Sequence, residues 1–131
     1  DVSSISSATI TIGSGGSAGG NNVDGGNGGF SSWADGTNTL TCNGGEGGLS
    51  TNIIKSAATA SGSYDFYIEG QPAGRGTDQH GGSTIYGTGG IGGGTSTPVT
   101  RGYGYGSGGA GARLVAAQPG ADGIVIVTEY K

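Results

Sequence analysis

The chain has 131 residues, a length that fits one domain, and 34 of them are glycine. Leu, Ile, Val and Phe together number 21, too few for an ordinary apolar core, so something else must order the chain. Nine carboxylates outnumber Lys55, Arg75, Arg101, Arg113 and Lys131, giving a net charge of -4 without a basic stripe, which argues against electrostatic binding to nucleic acid or anionic membranes.

No apolar run reaches the length of a membrane span, and the single Cys42 excludes an intrachain disulfide. Cys42 is expected to pack as a small apolar residue. The sequence opens at Asp1 without a methionine; a processed product or a fragment of a longer polypeptide would begin this way, and a fragment is the expectation.

Ala8-Thr9-Ile10-Thr11-Ile12 alternates threonine with isoleucine and predicts a half-buried strand. It leads into Gly13, Gly16, Gly19, Gly25 and Gly28, spaced by three and interrupted at Asn22. Three residues per turn is the period of the polyproline II helix, where a glycine stripe lets neighbouring backbones touch. Ordering so much glycine is entropically costly, so packed segments sharing backbone hydrogen bonds, oligomerisation, or both are expected to offset it.

Thr39-Leu40-Thr41-Cys42 is the next strand, running into Gly44, Gly45, Gly47 and Gly48. Residues 53–60 are the one stretch resembling a helical turn, but it is too short and poorly capped to count as a helix. Tyr64-Asp65-Phe66-Tyr67-Ile68 predicts a third strand, before Gly70, Pro72, Gly74 and Gly76. Gly87, Gly90 and Gly93 restore the period of three, and another glycine block runs over 102–111. The β-branched run Ile124-Val125-Ile126-Val127-Thr128, within 123–131, predicts a strand covered on both faces. Phe30, Trp33 and Phe66 are assigned to the core.

These elements make one all-β domain over 1–131: a small β-sandwich or β-layer with essentially no helix, its strands supplying the core. Glycine-rich polyproline II segments pack at one end and form a surface for display.

Glycine motifs arise by chance in such a composition. Gly87-x-Gly89-x-x-Gly92 and Gly104-x-Gly106-x-x-Gly109 match the dinucleotide spacing but lack the strand before, the helix after and the acidic partner, so no cofactor is expected. Gly15-Gly16-Ser17-Ala18-Gly19 has the spacing of a nucleophile elbow without a strand-to-helix context. One histidine and one cysteine cannot form a tetrahedral metal cage within one chain. In a trimer His80 would be presented three times on an axis, against the plainer reading of a solvated loop histidine. Asp65 with Glu69 or Asp78 could serve glycoside hydrolysis, but no pattern places them in a cleft.

The aromatic residues carry more information. Tyr103 and Tyr105 alternate with Gly102, Gly104 and Gly106 beside Arg101, and Tyr86 stands between Ile85 and Gly87. Glycine flanks leave a ring bare, with an apolar face and a hydroxyl tip suited to saccharides or protein loops. Alternatively, the rings cover the glycine segments in place of aliphatic core.

The strand Ala8-Thr9-Ile10-Thr11-Ile12-Gly13, the stretch from Gly28-Gly29-Phe30-Ser31-Ser32-Trp33 to Thr39-Leu40-Thr41-Cys42-Asn43-Gly44-Gly45, and the closing Pro119-Gly120-Ala121-Asp122-Gly123-Ile124-Val125-Ile126-Val127-Thr128-Glu129-Tyr130 resemble the glycine-rich C-terminal receptor-binding domains of bacteriophage tail fibres. The resemblance implies a trimeric, extracellular fibre tip on the virion that contacts a bacterial surface glycan or outer-membrane protein without enzymatic activity. It fixes no contact residues. On exposure grounds the candidates are Tyr86, Arg101, Tyr103 and Tyr105, with Asp78 and His80 as polar partners. A polysaccharide-degrading tip and a purely structural extracellular glycine-rich protein are the competing readings.

Overall fold

A computed structural model describes residues 5–20, 23–47, 56–63, 68–74, 80–93, 99–111 and 115–128. These residues contain no helix and form two small antiparallel sheets, an all-β arrangement. The first sheet has the order β1 (Thr9–Thr11), β2 (Ser31–Ala34), β3 (Thr39–Cys42), β4 (Ala60–Ser61). The second pairs β5 (Gly87–Thr88) with β6 (Tyr103–Gly104).

Alternation sets the register of the first sheet. Ile10 lies opposite Trp33, which lies opposite Leu40, while Thr11, Ser32 and Thr41 align one step along. One face is therefore apolar and the other hydroxyl-rich, because successive strand side chains point to opposite faces. The β2–β3 turn is held by Asp35, whose Oδ1 accepts the N–H groups of Thr37 (2.8 Å) and Asn38 (2.6 Å). Gly36 occupies the left-handed region there, at φ 92°.

The glycine segments are joined by a different pattern. The carbonyls of Gly13, Gly16 and Gly19 accept the N–H groups of Gly123 (2.8 Å), Gly120 (3.0 Å) and Ala117 (3.1 Å). The carbonyls of Ser14 and Ser17 accept those of Gly29 (2.8 Å) and Gly26 (3.0 Å). Bonds to one neighbour thus recur every third residue, and the adjacent position serves another neighbour. A second cluster closes on itself: Gly81 donates to Gly90 (2.8 Å), Gly90 to Gly108 (2.9 Å), and Gly108 to Gly82 (2.8 Å).

Close approach explains the glycine spacing. A Cβ at Gly13, Gly16 or Gly19 would collide with the carbonyl oxygen of Gly29, Gly26 or Val23, and one at Gly44 or Gly47 with that of Gly28 or Gly25. Any side chain at these positions would push the segments apart and break the bonds between them.

The location of the core differs from expectation. Among the described residues the buried apolar ones are Ala110 and Ala117, and Ser31 and Ser107 are the buried polar ones, most of them in or beside glycine segments rather than the strands. Trp33 and Leu40 are half-buried, but Phe30, assigned to the core, is 53% exposed, with Ile10 and Ile12 similarly open. Strands of two to four residues have too little area to enclose such side chains. Cys42 is exposed rather than packed.

The closing run also departs from its prediction. Residues 124–128 form no strand, and Ile126 and Val127 are exposed instead of covered on both faces. Gly123 still bonds to Gly13, but no backbone bond continues from 124–128 to another described residue, and a β-branched run without a paired neighbour is not a strand. Glu129 and Tyr130, Phe66, which the sequence assigns to the core, and the strand predicted over 64–68 apart from Ile68 lie outside the described residues. Of 53–60, residues 56–59 are non-helical and Ala60 opens β4.

Candidate functional site

The second sheet begins in a two-residue turn at Ile85 and Tyr86. Thr84 N–H donates to the Gly87 carbonyl (2.8 Å) and Gly87 N–H returns to that of Thr84 (3.4 Å). The Thr84 hydroxyl braces the turn, accepting Tyr86 N–H (3.1 Å) and donating to the Tyr105 carbonyl (2.7 Å).

Pairing then draws the tyrosines together. Thr88 lies opposite Tyr103 and Gly87 opposite Gly104, and Tyr105 N–H donates to the Tyr86 carbonyl (3.0 Å). Gly104 sits at φ 80°, where a Cβ would strike the Tyr86 carbonyl oxygen, so the crossing requires glycine between the two tyrosines. Tyr86 is 53% exposed, Tyr103 54% and Tyr105 50%; Ile85 at the apex is 63% exposed.

This open tip has a buried base. Ser107, 2% exposed, donates its hydroxyl to the Tyr103 carbonyl (2.9 Å). Gly106 N–H donates to the Asp122 carbonyl (2.7 Å), and the Asp122 carboxylate accepts Gly15 N–H (2.8 Å). The tyrosine hairpin is therefore tied to both the N-terminal and C-terminal glycine segments.

Arg101 completes the tip. It is exposed, with its guanidinium carbon 5.6 Å from the centroid of the Tyr103 ring, within cation–π range. An open groove of about 370 Å³ adjoins the hairpin, with Tyr86 and Tyr105 among its lining residues and Ser17, Ile68 and His80 elsewhere along it.

Tyr86, Arg101, Tyr103 and Tyr105 are thus brought to one hairpin. His80 is exposed but anchored: its Nδ1 accepts the N–H of buried Gly92 (3.3 Å), and its backbone carbonyl accepts Gly74 N–H (2.8 Å). Asp78 lies outside the described residues, as does Asp65; Glu69 is exposed. Sequence reasoning missed Ile85 and the bracing hydroxyls of Thr84 and Ser107. The Thr84-x-x-Gly87 spacing around a tight turn was the available signal.

Among the described residues, no three His, Cys, Asp or Glu side chains come together as a metal-holding group, and no helix is long and apolar enough to cross a membrane. No family of known proteins, no curated protein and no solved structure matches the chain.

Proposed function

We propose that this chain is a glycine-rich receptor-binding tip of a bacteriophage tail fibre, displayed on the virion, contacting a bacterial surface glycan or outer-membrane protein and carrying out no catalysis itself. The observation that carries the reading is the hairpin tip: half-exposed Tyr86 on the turn before β5 and half-exposed Tyr103 and Tyr105 with Arg101 along and beside β6, braced by backbone and hydroxyl bonds. Aromatic rings with hydroxyl tips on a rigid base form a recognition surface at low conformational cost.

The glycine segments act in this reading as polyproline II rods in a packed scaffold. The recurrence of bonds every third residue and the backbone collisions that forbid side chains support it. The exposed apolar residues Ile10, Ile12, Phe30, Ile126 and Val127, which are costly to leave in water, support self-association, read here as a trimer. A second layer completing the sandwich would come from the same association. Three copies of a weak site give avidity without a deep pocket.

The test is binding of the purified chain to a panel of bacterial strains, with Tyr103→Ala/Tyr105→Ala as the comparison. Binding to at least one strain that drops about tenfold or more in the double variant is expected. Absence of binding to every strain would remove the reading. A monomeric mass in solution would remove the trimer while leaving the adhesin.

A further inference from the structure

Resting on that receptor-binding reading, we infer that the hairpin tip is a subsite for an anionic saccharide: Tyr86, Tyr103 and Tyr105 present faces to the sugar and Arg101 pairs with its carboxylate or phosphate.

Arg101 is the one Lys or Arg within the described residues. Among the described residues no carboxylate forms an ion pair with it, and its guanidinium lies over the Tyr103 ring. In a chain of net charge -4 an exposed cation with no carboxylate partner among the described residues is out of keeping with its surroundings. Asp122, tied to the same strand pair through Gly106, accepts Gly15 N–H with its carboxylate. A guanidinium stacked over a ring is oriented by it while its N–H edge stays open, and that planar fork matches carboxylate and phosphate oxygens.

The rings choose a saccharide over an acidic peptide. Each of the three tyrosines has a glycine neighbour in sequence and is at least 50% exposed; one face of Tyr103 is taken by Arg101, which leaves its other face and the exposed parts of Tyr86 and Tyr105 for a ligand. A pyranose offers an apolar C–H face and a rim of hydroxyls, matching a flat ring with a phenolic tip. An acidic peptide would satisfy Arg101 but leave the ring faces largely unused.

The experiment measures binding of the purified chain to immobilised neutral, uronate-bearing and phosphate-bearing oligosaccharides, with poly-glutamate as the peptide control. The variants Arg101→Ala, Arg101→Lys and Tyr103→Ala are run in parallel. Arg101 is exposed, so an unchanged melting curve verifies that its variants fold. We expect binding confined to the anionic sugars, reduced about tenfold by Arg101→Ala and less by Arg101→Lys, and weakened by salt. Whichever anionic class binds identifies the source of the charge.

Equal binding to neutral sugars, equal binding to poly-glutamate, or indifference to Arg101→Ala would overturn the inference. Cell binding without affinity for any anionic sugar removes this inference and spares the adhesin. Anionic-sugar binding without attachment to any strain does the reverse.

Discussion

The four-stranded sheet and the glycine segments reverse the usual relation between side-chain size and burial. The sheet carries Ile10, Trp33 and Leu40 across one face, yet Ile10 is 49% exposed and its neighbours are only half-buried. The segments hold residues with almost no side chain, and Gly13, Gly19, Gly90, Gly92 and Gly102 are buried. Interior in this protein is made by backbones approaching one another, joined by hydrogen bonds between neighbouring segments. Among the described residues no buried side-chain nitrogen or oxygen lacks a partner.

That contrast can be broken most sharply at Gly90. A valine there would drive its Cβ into the Thr100 carbonyl oxygen and to 2.7 Å from the Ala110 nitrogen. We expect a loss of about 3 kcal/mol in denaturant unfolding, large for a small domain. Trp33→Ala, the largest truncation available in the sheet, should cost less, about 2 kcal/mol, since its side chain is only half-buried. If the sheet variant proved the more damaging, the assignment of stability to the glycine segments would be wrong.

Gly45→Ala sharpens the comparison from the other side. Nothing lies within 4 Å of a Cβ at Gly45, and its φ is not left-handed. It should raise stability by about 0.4–1 kcal/mol through the unfolded chain, read as a higher unfolding midpoint. A strong loss there would mean that glycine is required throughout, not only at points of contact.

The smallest effect concerns pH. The N–H groups of Asn38 and Thr37, with the Asn38 side chain, hold the exposed Asp35 carboxyl below its ordinary value of 3.8. A carboxylate lowered in the folded state stabilises the hairpin above that value and loses this contribution as the pH falls through the folded value. Asp35→Ala should therefore flatten the acid limb of the stability curve, followed by thermal melts between pH 6 and roughly pH 2, and leave the glycine segments' response unchanged.

Much of the sheet was legible because alternation is a local property. Thr39-Leu40-Thr41-Cys42 is β3 over the whole predicted run, and Thr9–Thr11 falls inside the predicted first strand. β2 was not legible, since Ser31-Ser32-Trp33-Ala34 lacks alternation and becomes a strand only between two neighbours. The closing run failed in the opposite sense, with strand-like residues and no described pairing partner. At the candidate site, glycine neighbours marked Tyr86, Tyr103 and Tyr105 as open rings. Their convergence came from the pairing of β5 with β6, a contact between segments distant in the chain.

Sequence alone determined that side chains could not order this chain and that glycine would recur every third residue, because composition and period need no partner to be read. Tertiary structure decided which carbonyl each glycine N–H reaches, which apolar residues stay in water, and that one arginine and three tyrosines share a hairpin. Those outcomes depend on long-range backbone pairing, which a residue with no side chain leaves unencoded in its own identity.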